Sequence, residues 1–452
     1  MWQKLKSDVI DPGLCTHCGT CVGLNDRQLE MIDTDNGPLP SQKSIGILDS
    51  ATYFACPGKG VPYPSIYEFL NSKKDHNFLT GKVIDAWIGY SSDKRIRLNG
   101  ASGGVITSTL IYLLKKKLID GAIVVLSGSP NPDDAEPIIA TSEEEIISSA
   151  QSVYLPVPVN TILDKSKNFK GKLAFVGLPD QVASIRMLQM EKHSYVNNIK
   201  YILGPYTGTN MYKGAIRSFL RGRGVKDTEK IISLKWRAGE WPGYLEVKIE
   251  GGRVFKAEKF YYNYLTPFFI TKSSLFGCDF TNELTDISVG DAWSPEYEKQ
   301  GMGFSVVLSR TSNGQRILKQ MASDNIISLK KVELKKALEM HGHMLDFKKR
   351  GSFIRISFNK ILGKKTPIYG YKPTHIKTLR KLVELIVLSI FSLASLKISR
   401  RISELIPIKI LGPTFNFFRK NWKRISKPTK RKGLAVSEFK ICKDEMKILK
   451  NQ

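Results

Sequence analysis

The sequence is poor in cysteine and histidine. It contains 6 of each in 452 residues, a cysteine density typical of a reducing compartment, where thiols bind metal or carry out redox chemistry instead of forming disulfides. No apolar stretch follows the first residues, so we expect no secretory signal and a cytoplasmic location. The sequence also lacks a Ser/His/Asp set and an HExxH motif, so it gives no indication of hydrolytic chemistry of those kinds.

Hydrophobic runs and acidic residues are scarce at the C-terminal end. The mostly apolar run of residues 382–396 contains Glu384 and is shorter than the roughly 20 residues that a spanning helix needs. Residues 351–452 hold 24 Lys and Arg against 5 Asp and Glu, so they carry +19 of the net charge of +27. Such a basic segment with interleaved aromatics suits an anionic membrane surface, which would place the protein peripherally at the inner membrane face. Nucleic acid is a less favoured partner, and a helix packed on a partner subunit or a solvated tail is also open.

Three cysteines are concentrated in one short stretch near the N-terminus. Cys15, Cys18 and Cys21 are each separated by two residues, and Cys56 follows downstream with Pro57 after it. Thiols at this spacing on a tight loop converge, and a fourth cysteine followed by proline completes the ligand set of a [4Fe–4S] cluster. Zinc is the alternative, but four-cysteine zinc sites usually consist of two separated Cys-x-x-Cys pairs. The pattern therefore favours one iron–sulfur cluster.

The periodicity of the chain predicts a mixed architecture of the α+β or α/β class. Strand and helix signals alternate from residue 83 to residue 221, which is typical of α/β layers. Period-two strands follow at residues 231–236, 244–249 and 253–257, with a hairpin turn at residues 250–252. We expect a small ferredoxin-like module at residues 1–80, a mixed α/β catalytic body in two parts at residues 81–165 and 166–345, and a helical, basic, partly amphipathic tail at residues 346–452.

A glycine-rich loop lies between a predicted strand and a predicted helix. Ser102, Gly103 and Gly104 precede a helix that begins near residue 105, and Arg97 and Asn99 lead into the loop. Glycine lets the backbone approach a ligand closely, and the free N–H groups of a helix N-terminus favour an anion. The loop is either a phosphate site or an ordinary turn before a helix.

Five collinear stretches carry a family resemblance. They are residues 15–21 with Cys56-Pro57, ASGG at 101–104 with its following helix, GLPDQVA at 177–183, WRAGEWPG at 236–243 and CDFTNELTDISVGDAW at 278–293. The chain resembles the coenzyme F420 hydrogenase/dehydrogenase beta-subunit family over roughly residues 10–340. The resemblance implies an oxidoreductase in which an iron–sulfur cluster passes single electrons to a flavin, FAD in particular, and the flavin exchanges hydride with a deazaflavin such as coenzyme F420 or with an organic substrate.

The departures from the family pattern are as informative as the matches. The family typically has further cysteines where this chain has Asp180, Thr207 and Leu275, and of that set Cys278 alone remains. One thiolate does not hold a [4Fe–4S] cluster, so we predict a single cluster, at the N-terminal cysteines. Asp180 is a candidate for catalytic acid/base work, with helix capping as the alternative, and Cys278 is expected to be a buried small hydrophobe.

The remaining candidates take their roles from the same resemblance. The loop of Ser102, Gly103 and Gly104, with Arg97 and Asn99 leading into it, would bind the phosphates of the flavin or the substrate, and the arginine would neutralise their charge. Arg237 would stack on a ring system or pack against its own hairpin. Asp291 would contact ribityl or ribose hydroxyls, or cap a turn. His17, between two cluster ligands, is expected to face solvent, and the alternative is that it tunes the potential of the cluster by hydrogen bonding.

Together these observations predict an iron–sulfur flavoprotein oxidoreductase. Its electron donor would be a ferredoxin or a partner redox subunit. One alternative is an electron-transfer or scaffold protein that keeps a cluster without catalysis. Another is a membrane-associated reductase in polysaccharide biosynthesis, which has its only support in the basic tail.

Overall fold

The strands form a large central sheet and three small sheets. The structure, a computed structural model, describes residues 1–71, 77–258, 262–425 and 437–450. Its strands are β1 Leu29–Thr34, β2 Gly37–Gln42, β3 Asp85–Ser91, β4 Gly121–Ser127, β5 Ala135–Ala140, β6 Leu173–Val176, β7 Ile199–Pro205, β8 Ile231–Ala238, β9 Tyr244–Ile249, β10 Val254–Glu258, β11 Ile287–Asp291, β12 Ser305–Ser309, β13 Ile327–Val332, β14 Tyr371–Pro373 and β15 Phe439–Ile441.

The helices cover the sheets and form most of the C-terminal part. They are α1 Trp2–Leu5, α2 Thr20–Gly23, α3 Ala51–Phe54, α4 Tyr63–Asn71, α5 Lys94–Asn99, α6 Val105–Lys115, α7 Glu143–Ser148, α8 Leu163–Lys167, α9 Pro179–Met190, α10 Gly214–Arg221, α11 Thr266–Phe269, α12 Lys272–Phe276, α13 Pro295–Glu298, α14 Ser312–Ser323, α15 Leu334–Glu339, α16 Gly342–Asp346, α17 Ser352–Ile361, α18 Thr378–Ala394, α19 Lys397–Leu405, α20 Ile408–Ile425 and α21 Lys443–Lys450. Short 3₁₀ segments lie at Val159–Ile162, Ser194–Val196, Glu250–Gly252 and Tyr262–Leu265, and π-helical turns at Lys6–Ile10 and Phe347–Gly351.

Local sequence explains where these elements begin. The apolar and β-branched run of β4 is buried over most of its length, as expected for a strand covered on both faces. Helix α7 begins with a capping box between Ser142 and Glu145. Helix α9 carries Pro179 at its first position, where the missing N–H costs nothing.

The central sheet confirms the predicted mixed α/β body. Its eight strands have the order β13-β3-β12-β11-β7-β6-β4-β5. Strands β4, β6, β7 and β11 are parallel, and β12 is antiparallel to both β11 and β3. Strand β3 therefore runs in the same direction as β11. The carboxyl ends of β3, β11, β7 and β6 meet at one edge of the sheet, which is the edge where open α/β sheets bind ligands.

The N-terminal module packs closely on this body. The β1–β2 hairpin and helices α1 to α4 surround the four N-terminal cysteines. Gly23 lies so near the Asn160 carbonyl oxygen that a Cβ there would collide with it. The backbones of the module and the body are thus in direct contact. The ferredoxin-like comparison for this module stays a prediction.

Much of the predicted basic tail packs into the protein core. Phe353, Ile356, Tyr369 and Tyr371 belong to the same buried cluster as the side chains of β6 and α9. Strand β14 pairs with β15, and Leu449 of helix α21 is buried. Aromatic and apolar side chains between the basic ones drive this burial, so the stretch from 347 to 373 does not stand apart as an appendage.

Helices α18 to α20 lie farther out and are held by buried ion pairs. Glu384 of α18 is fully buried between Arg355 of α17 and Arg380 of its own helix. Arg380 Nε also donates to Asp346 Oδ2 over 2.9 Å. No single helix of the described residues is long and apolar enough to cross a membrane, although the pair α18 and α19, bent by 80°, passes that test of length and composition together.

Removing Glu384 should destabilise the fold strongly. Glu384→Ala leaves the buried guanidinium of Arg355 without its carboxylate, and breaking a buried pair costs about 3–5 kcal/mol in the free energy of unfolding. Urea denaturation followed by circular dichroism measures this change. The control is Asp35→Ala, which removes an exposed partner of Lys397 and should cost about 1 kcal/mol or less. Equal effects of the two variants would contradict the prediction.

Candidate functional site

The four N-terminal cysteines line one cleft. Cys15, Cys18, Cys21 and Cys56 surround about 370 Å³ of empty space that includes the open mouth of the cleft. The rest of the lining is mostly apolar and comes from helix α1, the following π turn and the β1–β2 hairpin. The sequence prediction that these four residues come together is consistent with this arrangement.

Positive φ angles let the cysteine loop turn tightly. His17 has φ of 60° and Gly19 has φ of 87°, so two residues with left-handed backbone lie between Cys15 and Cys21. His17 is buried, and its Nδ1 lies 2.8 Å from the Pro38 carbonyl oxygen. The expectation that His17 faces solvent is therefore wrong. The ring fixes the loop against the β1–β2 hairpin because its hydrogen bond holds the strained residue in place.

A buried hydrogen-bond chain ties the loop to the body. The Asn160 backbone N–H donates to the Cys18 carbonyl oxygen over 2.8 Å. The Asn160 side chain donates to Thr20 Oγ1, which lies 2.7 Å from Ser184 Oγ on helix α9. Ser184 in turn donates to the Ala55 carbonyl oxygen, next to Cys56. The ligand loop, the fourth cysteine and helix α9 are thus held as one unit.

The cleft is electrostatically unfavourable for thiolates alone. Burial raises the pKa of all four cysteines, and the neighbouring thiols raise those of Cys15, Cys21 and Cys56 further, with that of Cys56 reaching about 12. Buried thiolates therefore require a positively charged group between them. Within the described ranges, no three His, Cys, Asp or Glu side chains are close enough to hold a single metal ion.

Asp180 lies beside this cleft, directly after strand β6. Its charge acts on Cys15 and Cys18. Burial raises the pKa of Asp180 to about 6, opposed by the nearby Lys348. Asp180 lies in the first turn of α9, where Gln181 Oε1 accepts the Leu178 N–H, so catalysis and capping both stay predictions for Asp180.

Two buried lysines lie near Asp180 and Cys278, and the sequence did not reveal them. Lys348 donates to the Ser274 carbonyl oxygen over 2.8 Å, and burial lowers its pKa to about 8. Lys349 pairs with Glu283 over 2.5 Å and donates to Tyr371 Oη, which is 3.5 Å from Cys278 Sγ. Burial raises the pKa of Glu283 to about 7. In the sequence these lysines resemble part of a solvated basic run.

The glycine-rich loop meets the start of β12. Gly104 is the N-cap of helix α6, as predicted, with φ of 75°. The Gly103 N–H donates to Ser305 Oγ over 2.9 Å, and Ser102 Oγ lies 2.8 Å from the same atom. A Cβ at Gly103 would lie 2.6 Å from the Gly89 carbonyl oxygen. Close packing against β3 therefore explains this glycine in part, while phosphate binding stays a prediction.

Arg97 and Asn99 lie on helix α5 and have different surroundings. Arg97 stacks on Tyr90 at 3.7 Å, and its Nε donates to the Gly303 carbonyl oxygen over 2.9 Å. Its Nη2 is buried and has no hydrogen-bond partner among the residues that the structure describes. An anion would satisfy such a group. The Asn99 side chain instead donates to the Ile147 carbonyl oxygen over 3.0 Å.

Arg237 and Asp291 form one ion pair, although the sequence presents them as separate candidates. Arg237 Nη1 is 3.1 Å from Asp291 Oδ2, and Trp241 Nε1 donates to Asp291 Oδ1 over 3.1 Å. Arg237 Nε also donates to the Pro242 carbonyl oxygen of its own hairpin. Trp241 stacks on Trp293 with ring centroids 5.1 Å apart. The alternative of hairpin packing for Arg237 therefore accounts for part of its contacts.

All these groups lie along one edge of the central sheet. Asp291 ends β11 and is paired in register with Ser305, which contacts the glycine-rich loop. Tyr206 follows β7, and its buried hydroxyl lacks a hydrogen-bond partner within the described part of the chain. Asp180 follows β6 in the chain and lies beside the cysteine cleft. The structure thus brings the predicted residues to a common edge, with the side chain of Asn99 engaged elsewhere.

Comparison with known proteins identifies relatives of this chain. Residues 86–164 match the family model for the N-terminal part of the coenzyme F420 hydrogenase/dehydrogenase beta subunit, and residues 170–335 match the model for the C-terminal part of the same protein. The coenzyme F420 hydrogenase subunit beta of Methanothermobacter thermautotrophicus is 27% identical over 290 residues, which cover 61% of this chain and 95% of the relative.

A further relative and one solved structure differ in the share of their length that matches this chain. The coenzyme F420-dependent sulfite reductase of Methanocaldococcus jannaschii is 25% identical over 354 residues, covering 75% of this chain, and the chain spans about half (51%) of that relative's length. A chain of the F420-reducing [NiFe] hydrogenase complex from Methanosarcina barkeri superimposes with a TM-score of 0.50 at 20% identity, covering 63% of this chain and 96% of that one. At this identity the structural likeness shows the fold alone.

The pKa of Asp180 predicts a pH dependence of stability. Because the pKa rises from 3.8 to about 6, the folded chain keeps a proton that the unfolded chain has lost between these values. Stability therefore falls as pH rises through this window. Asp180→Asn should make the fall between about pH 4 and pH 6 shallower, as measured by urea midpoints under anaerobic conditions. The exposed Asp26→Asn serves as the control, and an unchanged slope in Asp180→Asn would contradict the raised pKa.

Proposed function

Since the chain belongs to the coenzyme F420 hydrogenase/dehydrogenase beta-subunit family, we propose that it is an electron-transferring oxidoreductase with an iron–sulfur cluster and a flavin. The single observation that carries the proposal is the cleft lined by four cysteines beside Asp180 at the ligand-binding edge of the sheet. The relatives named as F420 hydrogenase subunits and F420-dependent sulfite reductase make coenzyme F420 one candidate partner. An organic hydride acceptor is the other.

The cysteine cleft fits a [4Fe–4S] cluster. Cys15, Cys18, Cys21 and Cys56 would hold it, because their buried thiols need a positively charged group and stand around a space instead of around one point. Such a cluster accepts and donates single electrons when bound. The apolar side chains of the N-terminal helix and π turn would keep water away from it, and the hydrogen bonds through Asn160 and Thr20 would hold its loop rigid.

The residues around Cys278 do not fit a second cluster. One thiol lies there with two lysines, Lys348 and Lys349, and these pair with the carboxylates of Asp180 and Glu283. Cationic ammonium groups and a single sulfur do not supply a four-ligand site. The proposal is therefore a single cluster per chain.

The edge between the glycine-rich loop and Asp291 is the proposed flavin site. Arg97 supplies a buried guanidinium nitrogen without a partner among the described residues, which suits a phosphate of FAD. Ser102, Gly103 and Gly104 lie in the same loop, and Arg237 with Asp291 occupies the neighbouring strand end. A bound flavin couples one-electron to two-electron chemistry. A ferredoxin or a partner redox subunit is the proposed electron donor.

Asp180 is proposed to move a proton during substrate reduction. It lies between the cysteine cleft and Lys348, and its pKa near 6 lets it hold or release a proton close to neutral pH. The charge of Lys348 lowers the pKa of Asp180 and so opposes the effect of burial, which lets the side chain be ionised at pH 7.

Iron analysis tests the cluster and its ligands. Anaerobically purified protein should contain about four irons and four acid-labile sulfides per chain. Replacing any of Cys15, Cys18, Cys21 or Cys56 by serine should remove most of this iron and leave flavin content unchanged. The matched control is Cys278→Ser, which should keep the iron. One zinc per chain, or about eight irons that fall to half in Cys278→Ser, would contradict the proposal.

Flavin content tests the role of Arg97. Arg97→Met should weaken FAD binding by about tenfold or more, because a charge-assisted hydrogen bond to phosphate is lost. The affinity is measured by fluorescence quenching on flavin-depleted protein, with iron content as the check on folding. Arg95→Met on the same helix is the control, since Arg95 is largely exposed. Equal affinities of the two variants would place the flavin elsewhere.

A further inference from the structure

Helix α18 buries two of its three charged residues against the protein and exposes a row of apolar ones to solvent. Arg380 and Glu384 face inward and are buried against Arg355 and Asp346. An amphipathic helix on a protein surface normally has the opposite orientation. The outward side chains are large, apolar and 42–66% exposed; they are Leu379, Leu382, Ile386, Ile390 and Leu393. These five residues form the apolar stripe.

The spacing of the apolar stripe makes it continuous. Its members are three or four residues apart, so they lie above one another on one helix face. The next two helices continue the pattern of exposure. Ile398, Ile402 and Leu405 of α19 recur at the same spacing and are 51–83% exposed, and Phe417 and Phe418 of α20 are also exposed. Large apolar side chains exposed in this number on three successive helices mark an interaction site.

The charges around the stripe are almost all positive. Residues 378–425 contain 10 Lys and Arg against 2 Asp and Glu. Both acidic residues are paired, Glu384 with two buried arginines and Glu404 with Arg221 over 2.7 Å. Lys381, Arg401 and Lys409 are exposed. Apolar side chains among exposed cations match the interface of an anionic bilayer, where the apolar groups enter below headgroups of opposite charge.

We propose that residues 378–425 dock the protein on an anionic membrane surface, with α18 lying in the plane of the interface. The inward ion pairs of Arg380 and Glu384 hold α18 along the protein body, so only its outer face is free to enter lipid. A second copy of the chain is a poorer occupant, because it would bring the same cations together. This inference is independent of the proposed redox chemistry.

Vesicle co-sedimentation of the full chain tests the proposal. Binding to vesicles of phosphatidylcholine mixed with phosphatidylglycerol should be at least about tenfold tighter than binding to phosphatidylcholine alone, and salt should weaken it. Leu382→Glu, Ile386→Glu and Ile390→Glu combined should lower it by about a hundredfold. The matched control places the same change at exposed apolar positions outside the segment, Ile45→Glu, Ile47→Glu and Ile232→Glu, and should bind like the native chain.

Three results would overturn the docking surface. The first is a native chain that binds neither kind of vesicle, and the second is a stripe variant that binds as well as the control variant. Analytical ultracentrifugation without lipid gives the third, since a native dimer that the stripe variant loses would make the stripe an interface between copies. If both variants unfold at the same temperature as the native chain, a loss of vesicle binding reflects the changed surface and not a loss of the fold.

Discussion

The pairing of buried charges on residues 348–355 is the constraint on which the rest of the structure depends. Lys348 interacts with Asp180, Lys349 with Glu283, and Arg355 with Glu384. These three cations lie near carboxylates from three different parts of the chain. Because an unpaired buried charge is costly, the three pairs fix the sheet edge, the loop before β11 and helix α18 relative to one another. One short helical stretch thereby joins the candidate site to the outer helices.

The sheet edge gives this arrangement its functional meaning. Asp180 follows β6 and lies beside the cysteine cleft, Tyr206 follows β7, and Asp291 ends β11 next to the glycine-rich loop. A proposed path for electrons from cluster to flavin therefore runs along successive strand ends. The buried ion pairs near Cys278 lie beside this path and would keep the local charge balanced in the absence of a second cluster.

Much of this architecture follows from local sequence, and what does not follow depends on distant pairing. Strand β9 spans the predicted residues 244–249 and helix α6 begins at the predicted residue 105, because periodicity, glycine and proline act within a few residues. The spacing of the cysteines likewise predicts that their side chains come together. The burial of Lys348 and Lys349 has no local signal, since the carboxylates near them, Asp180 and Glu283, are 66 or more positions away. The burial of His17 escapes prediction because its partner is the Pro38 carbonyl, which no residue type reveals.

The short β14–β15 ladder has a consequence for how the outer helices relate to the rest of the chain. Tyr371 to Pro373 pair with Phe439 to Ile441, so the segment of residues 374–438 begins and ends at the same two-stranded ladder. The outer helices are thus an excursion closed at both ends. The entropy of closing such a loop changes only with the logarithm of its length. A change in the length of this segment would therefore cost the core little, provided that Arg355 and Asp346 keep their partners.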